Sequence, residues 1–531
     1  MYNISTELDK PDIQYMLNEA KRMMNRGIKL KDLRDIYNKY NSLREKLYKD
    51  FSETYGVLNP NSNPQLSHYL QAMSDKLTSM GATNDIYEIC FVDGKWTTNK
   101  DAMLKLHEIG YEFATDLLMY RLAKKYAETV EGLMKAADEN GIIHPEVALG
   151  KTNRLQYKKP GILSIPKAML WNLIAPMNEG NKLYSVDIKN QEPNILINLL
   201  GADELKSALT AKEGLYEHLF SKVYIPRVTL NIAVAPKGVQ LIPKLLSREE
   251  LEKNNNIQPA YYLPLRAKSK SLYVKDKRVE LINQYNTMTM VDTPVVLPEK
   301  VEVSCTGGDV YELDVDWIDG DKVYKQSGTY TIQGVIKGID VKCSKEERAE
   351  FKTAWLAMTY GASKPGILAM CKSLDGSVIY DYFNNIEGFK KYNSMCNKHA
   401  KQGMQYIKTL FGTVMFADEP NSRRLRRVLL DLPVQGTGAD ILSLLIKHFN
   451  TTLSKRGIVD KLQIYYTRHD ELIIEADRDW VNSVGDKAVK ALLTDILEHQ
   501  IDDWTPFKVE VNEVTEGELP EISISDMEES E

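Results

Sequence analysis

The chain has 531 residues, a mass of 60.5 kDa and a formal net charge of −6 at pH 7. A hydrophobic content of 43% and a charged content of 27% exclude a low-complexity or fibrous polymer. The mild acidity argues against a surface coated wholesale in nucleic acid, though not against a local basic cleft.

The opening MYNISTELDKPDIQYM has no apolar run of signal-peptide length, and no stretch approaches the roughly 18 uninterrupted apolar residues of a membrane span. A soluble, cytoplasmic chain is expected. The five cysteines (Cys90, Cys305, Cys343, Cys371, Cys396) are widely spaced without a C-x-x-C pair, so no zinc ribbon or disulfide framework is expected. Residues 11–52 are charge-rich with helical patterning, and YGVLNPNSNPQL at 55–66 breaks into turn chemistry. Over 104–137 the recurrence of Ile109, Phe113, Leu117, Leu118, Tyr120 and Leu122 predicts one long amphipathic helix. An irregular segment at 150–167 precedes a strand-like KLYSVDI at 182–188.

Residues 225–343 change character. Prolines recur (Pro226, Pro236, Pro243, Pro259, Pro264), and alternating runs such as VEVSC, YELDVDW and TYTIQGVI predict a largely β insertion. Helical patterning resumes at Lys345 and continues to about Arg456. A strand pair follows around His469, then a helix over 481–498, a short strand FKVEVNEV and a polar acidic tail, predicted disordered. No internal repeats are evident.

Three constellations carry chemistry. In VDIKNQEPNIL a strand delivers Asp187 at its end, with Glu192 five residues on; a carboxylate there can hold a hard cation, although Asp after a strand also serves as a helix cap or turn former. In YYTRHDELIIEAD two apolar stretches flank His469, Asp470 and Glu471. Adjacent carboxylates at a hairpin bend repel each other, which a divalent metal would relieve; a solvated, merely charged turn reads the same way. In SKEERAEFKTAWLAMTYGASKP, Ser344 and Glu347 form a capping box, and Gly361 with Pro365 supplies the stop. Between them Arg348, Lys352, Leu356 and Tyr360 recur at four-residue spacing along one face. Two cations near the positive end of a helix suit phosphate.

Taken in chain order, the three resemble motifs A, B and C of family A DNA polymerases, the group that includes bacterial DNA polymerase I. Asp187 to Glu192 resembles D-x-x-x-x-E. Arg348, Lys352 and Tyr360-Gly361 resemble R-x3-K-x7-Y-G, and His469-Asp470-Glu471 resembles H-D-E. TNRLQYKKPGILSIP resembles the T-G-R-L-S segment ending in N-I-P and carries Arg154. RVLLDLPVQGTGADI, with Arg427, Asp431 and Gln435, resembles the region bordering the primer–template. YGVLNPNSNPQLSHYL resembles the base of the thumb, and GLYEHLFSKVY the start of the fingers, with Tyr216 where many members carry His.

The resemblance implies an α+β right-hand architecture, with an antiparallel palm sheet, helical fingers and thumb, and a β-rich insertion. It sets 1–150 as N-terminal helical region and thumb, 151–224 as palm start with motif A, and 225–343 as insertion in the fingers. Fingers with motif B then occupy 344–425, palm with motif C 426–520, and an acidic tail 521–531. The implied reaction is attack of a primer 3′-hydroxyl on a dNTP, aided by two Mg²⁺ ions on Asp187, Asp470 and the carbonyl of Ile188, with Glu471 supporting. Arg348 and Lys352 would hold the triphosphate, with Lys352 placed to protonate pyrophosphate, and Leu356 and Tyr216 would line the nucleotide site. Glu192 with Tyr360 would exclude a 2′-hydroxyl. Arg154, Arg427, Asp431, Gln435 and His469 would face DNA. The implied partners are primer–template DNA and dNTPs. The sequence does not identify a helicase or processivity factor.

Four positions depart from the family pattern: Leu356 stands for Phe or Tyr, Ile188 for Tyr, Asn194 for Arg and Asp431 for Asn. Thumb-like sequence begins within the first ~60 residues, leaving no space in this chain for a 3′–5′ exonuclease domain of on the order of 150–200. The family places about 20 residues between the positions of Tyr216 and Arg348, so about 110 are extra here. Within them LPLRAKSKSLYVKDKR carries Arg266, Lys268, Lys270, Lys275, Lys277 and Arg278 against Asp276, with Tyr261, Tyr262 and Tyr273 interleaved. That composition suits a single-stranded nucleic acid, or a solvated loop. Two rivals remain: a single-subunit RNA polymerase, against which Glu192 argues, and a catalytically inactive DNA-binding relative, against which Asp187, Lys352 and Asp470 argue.

Overall fold

Glycines, more than hydrophobic period, decide where the N-terminal helices stop. In the computed structural model, which describes residues 1–224, 226–237, 265–266, 272–282, 285–318 and 322–524, the first helix is Ile13–Arg26. Its start is capped by Asp12, whose side chain accepts the Tyr15 N–H at 2.7 Å. It ends at Gly27, at φ +86°, where a Cβ would collide with Ile142 and His144. Strand Ile28–Leu30 follows and pairs with Ile142–Ile143 and Ile174–Ala175. The helical patterning over 11–52 therefore resolves into two helices, the second being Arg34–Tyr55. The helix predicted over 104–137 is likewise divided, into Lys100–Glu108 and Glu112–Ala136, at Gly110 with φ +93°.

The chain falls into two units, Met1–Lys189 with Gly436–Asp502 and Pro506–Glu531, and Asn190–Gln435 with Asp503–Thr505. In the first, Arg34–Tyr55, Asn63–Ser79, Lys100–Glu108 and Glu112–Ala136 enclose a core that includes Phe51, Leu66, Leu70, Met103, Phe113 and Leu117. Its sheet is antiparallel throughout, in the order Leu462–Arg468, Glu471–Ala476, Lys182–Ile188, Val509–Glu513. Every residue of Glu471–Ala476 is buried, so both faces of this strand are covered. Glu475 is tolerated there because its carboxylate accepts Asn178 N–H at 3.1 Å and Asn181 Nδ2 at 2.9 Å. The helix predicted over 481–498 is broken at Gly485, φ +89°, into Arg478–Val484 and Asp486–Leu497.

In the second unit, helix Leu215–Val223 lies against Lys345–Thr359, with Phe220 and Phe351 edge to face at 5.5 Å. Gly376–Asn385 and Glu387–Lys401 add Phe383 and Phe389 to the same core. The middle segment is β-rich. Arg227–Ala235 alternates buried and less buried residues, pairing antiparallel with Gly328–Ile336 and parallel with Tyr285–Met290. Val310–Trp317, Lys300–Cys305, Lys277–Ile282 and Leu272–Val274 continue the order to Asp340–Val341. This segment has its own apolar clusters, one including Val228, Val274, Val301 and Val303, another Leu230, Ile232 and Tyr324. Of the basic run, Lys268, Lys270, Tyr261 and Tyr262 lie outside the described residues, as does 525–531 of the acidic tail.

Helix Ser422–Arg456 carries Pro433 inside it. By length and composition it is apolar enough to cross a membrane, but 89% of the apolar stretch is buried within the protein, as in a core helix. Proline there removes the N–H that would have reached the Leu429 carbonyl. Two side chains supply donors in its place: the Tyr392 hydroxyl, 3.1 Å from Leu429 O and 3.2 Å from Leu430 O, and the Cys396 thiol, 3.7 Å from Leu429 O.

Candidate active site

Asp187 is the penultimate residue of strand Lys182–Ile188, and the register sets Glu471 directly opposite it. Arg468 and Glu471 face each other across the hairpin, so His469 and Asp470 form its turn. His469 has φ +54°, the left-handed region a tight hairpin demands, and His is among the residue types that tolerate it. The turn bearing Asp470 is thus one residue from the partner of Asp187. Arg468 Nη2 donates to Ile165 O at 3.0 Å, tying the hairpin to the segment that carries Lys167.

Lys167 and Ser185 are site residues that sequence reasoning gave no role. The Lys167 ammonium lies 2.6 Å from Glu471 Oε1 and 3.5 Å from Asp187 Oδ2. Ser185, two residues before Asp187 and so on the same strand face, donates its hydroxyl to the same Glu471 oxygen. Burial pushes the Asp187 carboxyl above its ordinary value; Lys167 pulls it back, while Glu471 and Glu510 push further.

Among the described residues no group of three or more His, Cys, Asp or Glu is arranged to hold a metal ion. The chemistry of the donors nevertheless fits a hard cation. Asp187 and Glu471 already share one positive charge, the ammonium of Lys167, and Asp470 stands in the adjoining turn. Ile188 follows Asp187 and pairs with Val509. Arg154, partly exposed, stands in the bend between Glu146–Leu149 and Leu155–Lys158.

The second unit holds the other expected residues. Asn190, at φ +54°, turns the chain into helix Gln191–Leu200, with Glu192 in its first turn. Glu192 is gripped by two donors: Tyr360 Oη at 2.7 Å and Gln435 Nε2 at 2.7 Å, and Gln435 also reaches Tyr360 Oη at 3.1 Å. Burial, then the charge of Glu192, pushes the Tyr360 hydroxyl well up, so it stays a donor. Tyr360 ends helix Lys345–Thr359, and Gly361 follows at φ +78°, where a Cβ would meet Leu430 at 2.8 Å. Arg427, Asp431 and Gln435 recur at four-residue spacing along helix Ser422–Arg456, Arg427 exposed and Asp431 adding to the upward push on Tyr360.

Helix Lys345–Thr359 begins with the predicted capping box, Ser344 N–H to Glu347 at 3.0 Å and Glu347 N–H to Ser344 Oγ at 3.1 Å. Phe351, Ala354, Trp355 and Met358 are buried on one side of it. Arg348 and Lys352 are exposed and Leu356 partly exposed on the other. Arg348 and Lys352 both lie over the Tyr216 ring, at 5.7 and 5.8 Å from its centroid. Arg348 Nε also donates to Glu217, a contact the sequence did not suggest.

Comparison with known proteins bears on the family and the fold. A model of the bacterial Ig-like domain (group 4) matches residues 282–339, inside the β-rich segment. A DNA polymerase I of Aquifex aeolicus is 28% identical over 194 residues, 35% of this chain and 32% of that relative. A thermostable DNA polymerase I of Thermus caldophilus is 29% identical over 175 residues, 31% of this chain and 20% of the relative. The matches thus span a third or less of these relatives. The solved POL domain of Pol1 from M. smegmatis, in complex with DNA primer-template and dNTP, superposes with a TM-score of 0.59 at 17% identity, covering 94% of this chain and 68% of that one. That likeness shows the right-hand polymerase fold with a β-rich insertion. The family model for DNA polymerase family A matches residues 30–230 and 329–515, most of the chain and all three motif segments, so the chain belongs to DNA polymerase family A.

Proposed function

We propose that this chain is a template-directed DNA polymerase that adds dNTPs to a primer 3′-hydroxyl and releases pyrophosphate. The observation that carries the reading is the strand register, Glu471 opposite Asp187 with Asp470 in the turn beside it, an order that would gather oxygen ligands where a reacting phosphate needs its charge neutralised. Two Mg²⁺ ions held by Asp187 and Asp470, with the carbonyl of Ile188, would supply Lewis acidity when bound.

The remaining work falls to this chain's own residues. Arg348 and Lys352 hold the triphosphate, and Lys352 hands a proton to the departing pyrophosphate. Glu192, fixed from both sides by Tyr360 and Gln435, blocks the place of a 2′-hydroxyl and so favours dNTPs. Leu356 and Tyr216 bound the nucleotide; Arg154, Arg427, Gln435 and His469 contact primer–template DNA, with Asp431 beside it.

A primer annealed to four templates that differ only in the templating base tests this. The expected result is addition of the complementary dNTP in each case and at least ~100-fold weaker use of the matching NTP. Addition that ignores the template, or equal use of NTPs, defeats the reading. The second outcome would favour an RNA polymerase.

A further inference from the structure

The cations proposed to hold the triphosphate have an acidic neighbour that the reaction does not use. Glu217 lies in the first turn of helix Leu215–Val223, beside Tyr216. Its Oε1 accepts from Arg348 Nε. Its other oxygen, Oε2, is closed off from solvent and has no hydrogen-bond partner.

Local sequence builds this seat. Gly214 has φ +108°, and a Cβ on it would lie 2.5 Å from Glu217 Oε2, so glycine lets the carboxylate fold back over the helix start. The Tyr216 ring confines Arg348 from another side, with Lys352 over the same ring. A carboxylate with one oxygen satisfied only by a guanidinium and the other by nothing is a costly arrangement. It also cancels much of the charge that Arg348 would offer to a phosphate.

We propose that Glu217 is a latch on Arg348 that an incoming polyphosphate chain must displace, and that it thereby sets how tightly this site binds a triphosphate. In the resting site Lys352 is then the cation first offered to the ligand. A chain of several charged phosphates competes with the carboxylate for Arg348, and a shorter one competes less well. The identity of the ligand rests on the polymerase reading; the ion-pair exchange does not.

Titration calorimetry of the full chain with inorganic tripolyphosphate tests the latch without any catalysis. Glu217→Gln should bind about three- to tenfold more tightly than wild type. Glu217→Ser, which removes the charge without refilling the seat, should shift in the same direction. In an Arg348→Ala background the gain should fall below about twofold, because the latch has lost what it holds. In primer extension, Glu217→Gln should lower the dNTP KM by a larger factor than it changes kcat. Equal or weaker tripolyphosphate binding by both variants, a gain that persists without Arg348, or no binding by any form would overturn the proposal. If wild type binds tripolyphosphate but extends no primer, the polymerase reading fails while the titration still judges the latch.

Discussion

At the scale of single residues, the candidate site is a problem of paired charge. Asp187 is lifted by burial, and the ammonium of Lys167 compensates only in part. A carboxyl whose folded value exceeds its unfolded one makes the native state the better proton binder, so its cost to stability appears as pH rises through the folded value. Asp187→Asn should therefore raise the melting temperature at pH 7, by about 1–2 °C given the half-exposed side chain. The gain should shrink as pH falls toward the ordinary Asp value, where wild type carries the proton as well. Thermal melts at pH 7 and pH 4.5 check this, and a wild type that melts higher at pH 7 contradicts it. Asp187, Glu192, Arg348, Lys352, Tyr360 and Asp470 stood out as candidates because each sits at a fixed offset within its own short segment. Lys167, Ser185 and Glu217 did not, because their roles come from partners distant in sequence: Glu217 and Arg348 are 131 positions apart.

Among elements, the strands were easier to read than the helix ends. The strand-like KLYSVDI and the apolar flanks of His469 were read as strands, and these strands pair antiparallel as the resemblance implied. The breaks at Gly27, Gly110 and Gly485 were not foreseen. One glycine within a periodic run costs a helix only about 1 kcal/mol, so sequence alone does not say whether packing will override it. Pro433 shows the opposite outcome: a residue that normally interrupts a helix is carried inside one, with Tyr392 serving the carbonyl that proline leaves without a donor. Tyr392→Phe should cost about 1–2 kcal/mol in a denaturant titration, because it leaves that buried carbonyl only the weak Cys396 thiol donor at 3.7 Å. A loss below about 0.3 kcal/mol would mean that the Leu429 carbonyl is served in another way.

For the whole molecule, the β-rich segment was legible as an insertion by counting and as β by alternation, but the similarity of residues 282–339 to a bacterial Ig-like domain model was not. The parallel pairing of Arg227–Ala235 with Tyr285–Met290 joins parts too distant for local patterning to reveal. Nor did composition reveal that Lys277 of the basic run pairs with Asp309, that Lys275 lies 5.4 Å from the Tyr311 ring, or that Asp276 is held by Lys342 at 2.6 Å. These contacts tie Lys275, Asp276 and Lys277 to neighbours within the β-rich segment. With two apolar clusters of its own, a fragment of residues 226–342 should unfold in one cooperative thermal transition. A featureless melt would show that the module depends on the rest of the chain.

The central claim is that Asp187 and Asp470 together serve one phosphoryl-transfer centre, and single-turnover addition of one dNTP to a primer with Mg²⁺ reads it most directly. Asp187→Ala and Asp470→Ala should each slow the step by at least about a thousandfold, and the double variant should be little slower than either, as for groups that act as a unit. A single variant that keeps a tenth or more of the wild-type rate would contradict the account.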